Sequence, residues 1–260
     1  MTSSIDTWDL AQYERFEQER SAPFFDLLDL VEPCPGGRII DLGCGTGELT
    51  RSLHQRTGAA STLGLDSSQA MLERSAAHAG DGLTFELGDI ADWTPSEPVD
   101  LVFSNAALHW IDDHDELFVR LTGALSPRGQ LAVQVPANHD HPSHLVAERV
   151  ATEEPFRAAL GGYVRRTPVL ASERYAQLLY HLGYASQHVR LQVYLHVLPE
   201  AGAVVDWVKG TLLTDYRRRL TEEAYEDFVA RYRELLAAEL PDQRPFPFPF
   251  KRVLLWGRRD

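Results

Sequence analysis

Lysine, cysteine and long apolar runs are scarce in this chain, and each scarcity excludes a class of protein. Lys209 and Lys251 are the only lysines among 25 basic residues, and 38 acidic residues give a formal net charge of −13. Because no basic stripe follows the chain, nucleic acid is not an expected partner. No apolar run approaches the ~20 residues that span a bilayer, so we expect no membrane partner.

The cysteine count and the first residues bear on the cell compartment. Cys34 and Cys44 are too few for a disulfide framework, which favours two reduced thiols and a cytoplasmic location. The N-terminus is polar and acidic, unlike a signal peptide. The length of 260 residues suits one α/β domain with an insertion and leaves open whether the protein is a monomer or a homodimer.

The most informative stretch runs from Arg38 to Thr50, RIIDLGCGTGELT. Apolar residues around Asp41 predict a buried strand, and the run from Glu48 predicts a helix N-terminus. Between them lie three glycines that predict a tight turn open to a ligand: Gly43, Gly45 and Gly47. The dinucleotide fingerprint has glycine where this chain has Glu48, which would repel a pyrophosphate. The acids therefore favour a ligand with a positively charged amino group.

The segment D-L-G-C-G-T-G resembles the first motif of class I S-adenosylmethionine-dependent methyltransferases. The resemblance implies that Asp41 lies near the cationic amino acid half of the cofactor and that the glycines line the cofactor. For the glycine motif alone, the alternative is a structural turn without a ligand.

Acids after the next two predicted strands extend this cofactor pattern. Asp66 lies about twenty residues past the glycines, where an acid binds ribose hydroxyls in this architecture. Ser67 is a further cofactor candidate, although capping of the next helix is the competing role for this serine. In the methyltransferase pattern, an acid and an apolar residue after the third strand contact adenine, and Asp89 and Ile90 fit those roles. Asp92 is the competing acid.

The end of the fourth predicted strand carries the remaining cofactor candidates. Ligands in open α/β sheets bind beyond the carboxyl ends of the strands. The resemblance implies that Asn105 lies beside the methionine part of the cofactor. His109 and Trp110 follow one helical turn later and could position the methyl-transfer centre, but no residue is a certain catalytic group.

Alternating strands and helices predict an α/β fold in one domain. Residues 1–32 form the predicted N-terminal helical lid, and residues 33–136 form the cofactor-binding core. A helical cap over 137–245 includes one core strand near 187–197, and the last strand lies within 246–260. With the resemblance, this implies a Rossmann-like seven-stranded mostly parallel sheet with helices on both faces.

A loop after the fifth predicted strand, NHDHPSH, contains three histidines: His139, His141 and His144. Their spacing matches no familiar zinc signature, and no partner cysteines exist. We therefore predict that no metal is bound and that the loop leads into a helix opened by Pro142.

The whole chain resembles the trans-aconitate methyltransferase family. Segments outside the cofactor motifs carry this resemblance: Trp8-Asp9 with Tyr13, Arg20-Ser21-Ala22-Pro23, SNAALHW from Ser104, AVQVPAN from Ala132, Pro142-Ser143-His144, Tyr194-Leu195-His196, Asp206-Trp207 and FPFKR from Phe248. The chain departs from the family pattern at His139-Asp140-His141, where that pattern has an aromatic or amide-rich stretch.

The resemblance implies S-adenosylmethionine as cofactor, S-adenosylhomocysteine as product and a small anionic polycarboxylate, trans-aconitate or a relative, as acceptor. Arginines would bind the carboxylates of the acceptor, and aromatic residues would shape its pocket. The candidate acceptor contacts are Tyr13, Arg20, Tyr194, His196, Trp207, Arg217 and Arg252. One alternative is a methyltransferase of another small acid or a phenol, with His109 or His196 as base. Another is a non-catalytic module that binds S-adenosylmethionine.

Overall fold

The structure, a computed structural model, describes residues 17–260, with side chains from Ser21 onward. These residues group into two compact units. The first, which we call the sheet unit, comprises Gln18–Pro136, Pro168–Gln192 and Arg252–Asp260. The second, which we call the helical unit, comprises Ala137–Thr167 and Val193–Lys251.

The described strands form one sheet. They are β1 (Arg38–Leu42), β2 (Ser61–Asp66), β3 (Leu83–Leu87), β4 (Val99–Asn105), β5 (Leu125–Pro136), β6 (Ser186–Leu198) and β7 (Phe246–Arg258). The order across this seven-stranded sheet is β3-β2-β1-β4-β5-β7-β6. The pairs β1–β2, β1–β4, β2–β3 and β4–β5 are parallel, whereas β7 runs antiparallel to β5. This mostly parallel sheet confirms the predicted Rossmann-like fold.

Helices follow β1, β2 and β4, and five of the described helices lie in the helical unit. They are α1 (Glu17–Leu28), α2 (Glu48–Thr57), α3 (Gln69–Ser75), α4 (His114–Gly123), α5 (Pro142–Thr152), α6 (Phe156–Ala159), α7 (Ser172–His181), α8 (Ala203–Lys209), α9 (Thr214–Arg217) and α10 (Glu222–Glu239). A 3₁₀ turn at Leu108–Trp110 follows β4. In the part of the chain that the structure describes, no helix combines the length and apolar character needed to cross a membrane.

Side-chain caps fix where several helices begin. The Ser68 hydroxyl accepts a hydrogen bond from the Met71 N–H at the start of α3, and Thr221 does the same for Ala224 at the start of α10. Each cap satisfies one backbone donor that has no partner within the helix. Serine and threonine at these positions therefore determine the helix starts locally.

Each unit has its own buried core. In the sheet unit, Ile39, Phe103 and Phe118 are no more than 1% exposed. In the helical unit, the rings of Tyr216 and Phe228 stack with centroids 4.8 Å apart, and both residues are fully buried. Since both units bury large side chains, the helical unit is a folded body with apolar packing of its own.

The glycine turn after β1 packs closely on neighbouring segments. Gly43 and Gly47 have φ values of +81° and +80°, in the left-handed region. A Cβ at Gly43 would lie 2.2 Å from the Ala107 Cβ, and one at Gly47 would lie 2.6 Å from the Phe85 Cζ. Glycine is therefore required here both by the backbone conformation and by the absence of space for a side chain.

We predict that Gly47→Ala destabilises the protein more than Gly36→Ala. Gly36 also has a positive φ, but a Cβ there would meet no heavy atom within 4 Å. Gly36→Ala should thus cost about 1–2 kcal/mol for the backbone alone, and Gly47→Ala about 1–3 kcal/mol more for overpacking against Phe85. Urea unfolding followed by circular dichroism measures both losses. Equal losses would contradict the packing role of Gly47.

Candidate active site

The predicted acid of β1 lies buried beneath the glycine turn. Asp41 is 3% exposed and accepts a hydrogen bond of 2.7 Å from the Thr50 hydroxyl. Burial, with a smaller effect from the nearby Asp66, raises the pKa of Asp41 to about 7 against the opposing effect of the Thr50 hydrogen bond. A cation close to this carboxyl would favour its ionised form, as expected for a ligand with an ammonium group.

Asp66, at the end of β2, binds the glycine turn through a hydrogen bond. Its Oδ2 accepts the Gly45 N–H at 2.8 Å, and its Oδ1 accepts the Ser68 N–H at 2.9 Å. A carboxylate oxygen can accept more than one hydrogen bond, so the role of Asp66 in holding the turn does not exclude the predicted contact with ribose hydroxyls. Ser67 is exposed, and Ser68 rather than Ser67 caps α3. A contact between Ser67 and the cofactor stays a prediction.

The segment after β3 places Ile90 beside the glycine turn. The Ile90 Cδ1 lies 3.8 Å from the ideal Cβ position of Gly43, and the Ile90 carbonyl accepts a hydrogen bond from Arg120 at 2.9 Å. Asp89 is exposed, and its Oδ1 accepts the Ala91 N–H at 2.8 Å. This arrangement presents an apolar surface and a carboxylate next to each other, as adenine binding would require.

The end of β4 has an unusual backbone and a buried acceptor. Ala106 has a φ of +55°, which is uncommon for a residue other than glycine. The Oδ1 of the neighbouring Asn105 is buried and has no hydrogen-bond partner among the described residues. A buried acceptor without a hydrogen-bond donor lowers the free energy of unfolding by about 1–3 kcal/mol. A ligand that donates hydrogen bonds would remove that cost.

The residues around the glycine turn fit S-adenosylmethionine. Asp41, Asp66, Asp89 and Asn105 all offer acceptor oxygens, which suit an ammonium group, ribose hydroxyls and an adenine amino group. The same set would repel the pyrophosphate of a dinucleotide. The side chains at this site offer mainly acceptor oxygens, and the Asn105 Oδ1 lacks a hydrogen-bond donor among the described residues. Both features support the predicted cofactor, which carries donor groups.

His109 and Trp110 lie on the 3₁₀ turn after β4, with ring centroids 4.8 Å apart. His114 anchors this turn because its Nε2 donates to the Leu108 carbonyl at 3.0 Å, while its Nδ1 accepts from the Tyr175 hydroxyl. Burial lowers the pKa of His114, which favours the neutral ring. Sequence reasoning missed this anchor, because Tyr175 is 61 residues from His114 and no local pattern links them.

In the helical unit, the structure brings together two of the predicted acceptor residues. The rings of His196 and Trp207 lie 4.4 Å apart, and the two residues are 7% and 5% exposed. Phe248 and Phe250 pack against the same pair with centroids 5.8–6.4 Å apart. Tyr194 is half-buried and lies on the same face of β6 as His196. These residues form a buried aromatic cluster.

The predicted arginines have different surroundings. Arg252, in the sheet unit, is 5% exposed, and its Nη1 donates to the Gln134 Oε1 at 3.3 Å. The Arg217 side chain, in the helical unit, is 54% exposed, lies 3.3 Å from Glu222 and projects over the ring of Tyr225. Tyr13 and the side chain of Arg20 lie outside the described residues. Burial therefore favours Arg252 over Arg217 as a specific anion contact.

The histidine-rich loop opens α5 at Pro142, as the sequence predicted. The His141 Nδ1 accepts the Ser143 N–H at 3.1 Å and so caps this helix. Over the described residues, no three His, Cys, Asp or Glu side chains are grouped so that they could hold a metal ion. That the protein needs no metal stays a prediction.

We predict that Asp66→Ala weakens cofactor binding by about 10- to 100-fold. The substitution removes acceptors for the ribose and for the Gly45 N–H, and each loss of this kind costs about 1–3 kcal/mol. Calorimetric titration with S-adenosylhomocysteine measures the affinity. Glu73→Ala is the control, because Glu73 is an exposed acid on α3 and is not a candidate cofactor contact. Equal affinities for the two variants would contradict the ribose assignment.

We predict that cofactor binding near pH 6.5 releases protons from Asp41. Because the pKa of Asp41 is about 7 in the folded protein, its carboxyl is largely protonated at that pH, and an ammonium ligand would drive ionisation. The raised pKa also means that Asp41 contributes stability at low pH that is lost as the pH rises through 7. Calorimetry in buffers of different ionisation enthalpy measures the protons released. A release that persists in Asp41→Asn would contradict the assignment.

Comparisons with known proteins agree with this geometry. Residues 39–129 match a family model described as a methyltransferase domain. The chain is 44% identical to the trans-aconitate 2-methyltransferase of Deinococcus radiodurans, over 97% of this chain and 98% of that protein. It is 40% identical to that of Streptomyces coelicolor, over 100% of this chain and 89% of that protein. An S-adenosylmethionine-dependent methyltransferase structure from Mesorhizobium loti is 25% identical, covers 92% of this chain and 98% of that chain, and has a TM-score of 0.51. With acceptor oxygens at its strand ends and this similarity along nearly its full length, the chain belongs to the trans-aconitate 2-methyltransferase family of class I S-adenosylmethionine-dependent methyltransferases.

Proposed function

We propose that this protein transfers a methyl group from S-adenosylmethionine to one carboxylate of trans-aconitate and forms the monomethyl ester. The observation that carries the proposal is the 44% identity over 97% of the chain to an enzyme named for that reaction. The similarity continues beyond residues 39–129, which match the general methyltransferase domain. A cytoplasmic location belongs to the same proposal, and the count of two cysteines supports it.

The proposed reaction needs little acid–base chemistry from the protein. When bound, S-adenosylmethionine supplies a methyl group on a positively charged sulfonium. A carboxylic acid with a pKa near ~4 is ionised at neutral pH, so no general base is required. The residues around the acceptor need only orient it and exclude water. His109 and Trp110 are suited to that positioning role because His114 holds their turn in place.

Arg252 is the described candidate best suited to hold a carboxylate that does not react. Its burial and its hydrogen bond to Gln134 limit the orientations of the guanidinium. A planar guanidinium can bind a carboxylate through two parallel hydrogen bonds. A guanidinium bound to the attacking oxygen would reduce the reactivity of that oxygen. We therefore assign Arg252 to a spectator carboxylate, one that does not take the methyl group. The exposure of Arg217 makes it a weaker candidate, and Arg20 remains a proposed contact.

The aromatic cluster of the helical unit supports a role in shaping the acceptor pocket. Trp207 and His196 are buried and packed on Phe248 and Phe250, so their rings are held rigidly. Rigid aromatic surfaces exclude water and define shape without adding charge. We propose that Tyr194, on the same strand face as His196, contributes its phenol group to this surface.

The substrate class is tested by a methyl-transfer assay with isotopically labelled cofactor. We expect trans-aconitate to exceed crotonate, an unsaturated monocarboxylate, by roughly 30-fold or more in kcat/KM, because crotonate lacks the spectator carboxylates. Mass spectrometry of the ester identifies the product. Equal kcat/KM for the two acids would contradict recognition of a polycarboxylate. At saturating S-adenosylmethionine, where the cofactor keeps Asp41 ionised, a pKa near neutrality in kcat would instead favour a phenol or another acceptor that needs a base.

We predict that Arg252→Met lowers kcat/KM for trans-aconitate by roughly 30-fold or more, since one charged contact of this type is worth ~2–5 kcal/mol. Most of the loss should appear in KM, with the affinity for S-adenosylhomocysteine unchanged. Arg244→Met is the control, because the Arg244 side chain is 70% exposed and pairs with Glu200. If both variants have wild-type kcat/KM, the role of Arg252 is wrong.

A further inference from the structure

We propose that the turn from Asn138 to His144 in the helical unit is an anion site in which the Asn138 amide and the His139 ring bind a carboxylate of the acceptor acid. Its identification as an acceptor site rests on the proposed function, whereas anion binding itself can be measured without turnover. Arg165 lies beside the turn, where its charge is paired with Asp215.

Asn138 supplies a buried donor that has no acceptor. The residue is 2% exposed, and its Oδ1 accepts the backbone N–H of Lys251 at 3.1 Å. Because a backbone N–H can only donate, this bond sets the orientation of the amide and assigns its other end as the NH₂ group. That Nδ2 is buried without a hydrogen-bond partner among the described residues. An anion would supply the missing acceptor.

His139 supplies a second buried polar atom in the adjacent residue. Its Nδ1 is buried and has no hydrogen-bond partner within the described part of the chain. The ring lies close enough to His144 and Glu148 to lower the pKa of both groups. Two neighbouring residues with orphaned buried nitrogens are uncommon, because each such group costs stability unless a ligand satisfies it.

A hydrogen-bond chain orients His144. The His141 Nδ1 accepts the Ser143 N–H at 3.1 Å, so the Ser143 hydroxyl, 2.9 Å away, donates to the same nitrogen. The Ser143 oxygen then accepts from the His144 Nδ1 at 3.1 Å. Burial, with a smaller effect from Arg165, lowers the pKa of His144 to about 3. The neutral ring therefore keeps its proton on Nδ1, so its Nε2 is an acceptor and is not one of the donors to the anion. A carboxylate bound nearby would raise the pKa of His144.

The negative charges of the acids that face this turn are already neutralised, by an ion pair or by burial. Asp215 lies 2.5 Å from Arg165, whose side chain is 13% exposed. Asp140 forms an ion pair with Lys251, and this pair keeps the pKa of Asp140 below its usual range. Burial raises the pKa of Glu148, which favours its neutral form. The local charge is therefore compatible with an added carboxylate, although the whole chain is acidic.

Asn138→Asp is the sharpest test of this site. Aspartate keeps the acceptor for the Lys251 N–H and replaces the orphaned NH₂ group with a negatively charged oxygen. Calorimetric titration of trans-aconitate into protein saturated with S-adenosylhomocysteine should show an affinity at least ~10-fold weaker than wild type. KM should rise in parallel, and the affinity for S-adenosylhomocysteine should not change. Gln243→Glu makes the same chemical change at an exposed position of the helical unit and should bind as wild type does.

His139→Phe gives an independent test if Asn138→Asp does not fold. The substitution removes the orphaned nitrogen and keeps an aromatic ring of similar size. We expect an unchanged or higher thermal midpoint together with trans-aconitate binding at least ~10-fold weaker. A purely structural role for His139 would not combine retained stability with weaker binding.

The possible outcomes separate this inference from the proposed function. Wild-type affinity for trans-aconitate in the folded variants would overturn the anion site, even if the wild-type protein methylates the acid. Binding of trans-aconitate that these variants weaken, without methyl transfer by wild type, would support the site and contradict the proposed function. Inorganic phosphate that binds as tightly as trans-aconitate would overturn the assignment to a carboxylate.

Discussion

The hydrogen bond between the Gly45 N–H and Asp66 joins the turn after β1 to the end of β2. Most of the cofactor site depends on this link. The turn cannot move away without leaving a backbone donor unsatisfied, and it cannot move inward because Gly43 and Gly47 already pack against Ala107 and Phe85. The conformation of the turn is therefore determined on both sides before any ligand binds.

Several polar groups of this protein are buried at a cost that a ligand can offset. In the sheet unit, burial shifts Asp41 towards its neutral form and leaves the Asn105 oxygen without a donor. In the helical unit, the Asn138 NH₂ group and the His139 Nδ1 are likewise buried without a hydrogen-bond partner among the described residues. The first pair are acceptors and suit a cationic ligand, whereas the amide of Asn138 is a donor and suits an anion. The distribution of these groups thus matches a positively charged cofactor and a negatively charged acceptor.

Sequence reasoning succeeded where the relevant physics is local. The alternation of strands and helices predicts the parallel sheet, because each element must bury an apolar face with its own period. Asp41 lies in β1, Asp66 ends β2 and Ile90 follows β3. The structure places Asp66 in a hydrogen bond with the Gly45 N–H and Ile90 3.8 Å from the ideal Cβ position of Gly43, while the contacts of all three with the cofactor stay predictions. The surroundings of Arg217 and Arg252 could not be predicted in this way. Arg217 lies in the polar run DYRRR and Arg252 precedes the apolar run VLLW, but a long arginine side chain next to apolar residues can still reach water. Only packing shows that Arg217 is exposed and Arg252 is buried.

The sequence by itself determined the class of fold, the glycine turn and the caps that begin the helices, since each depends on neighbouring residues. Only the tertiary structure decided which polar side chains lose contact with water. Tyr175 reaches His114 from 61 residues away, and Arg252 reaches Gln134 from 118 residues away. Burial of Asn138 likewise depends on Lys251, 113 residues along the chain. Desolvation arises from contacts between distant segments, and for that reason no local pattern encodes it.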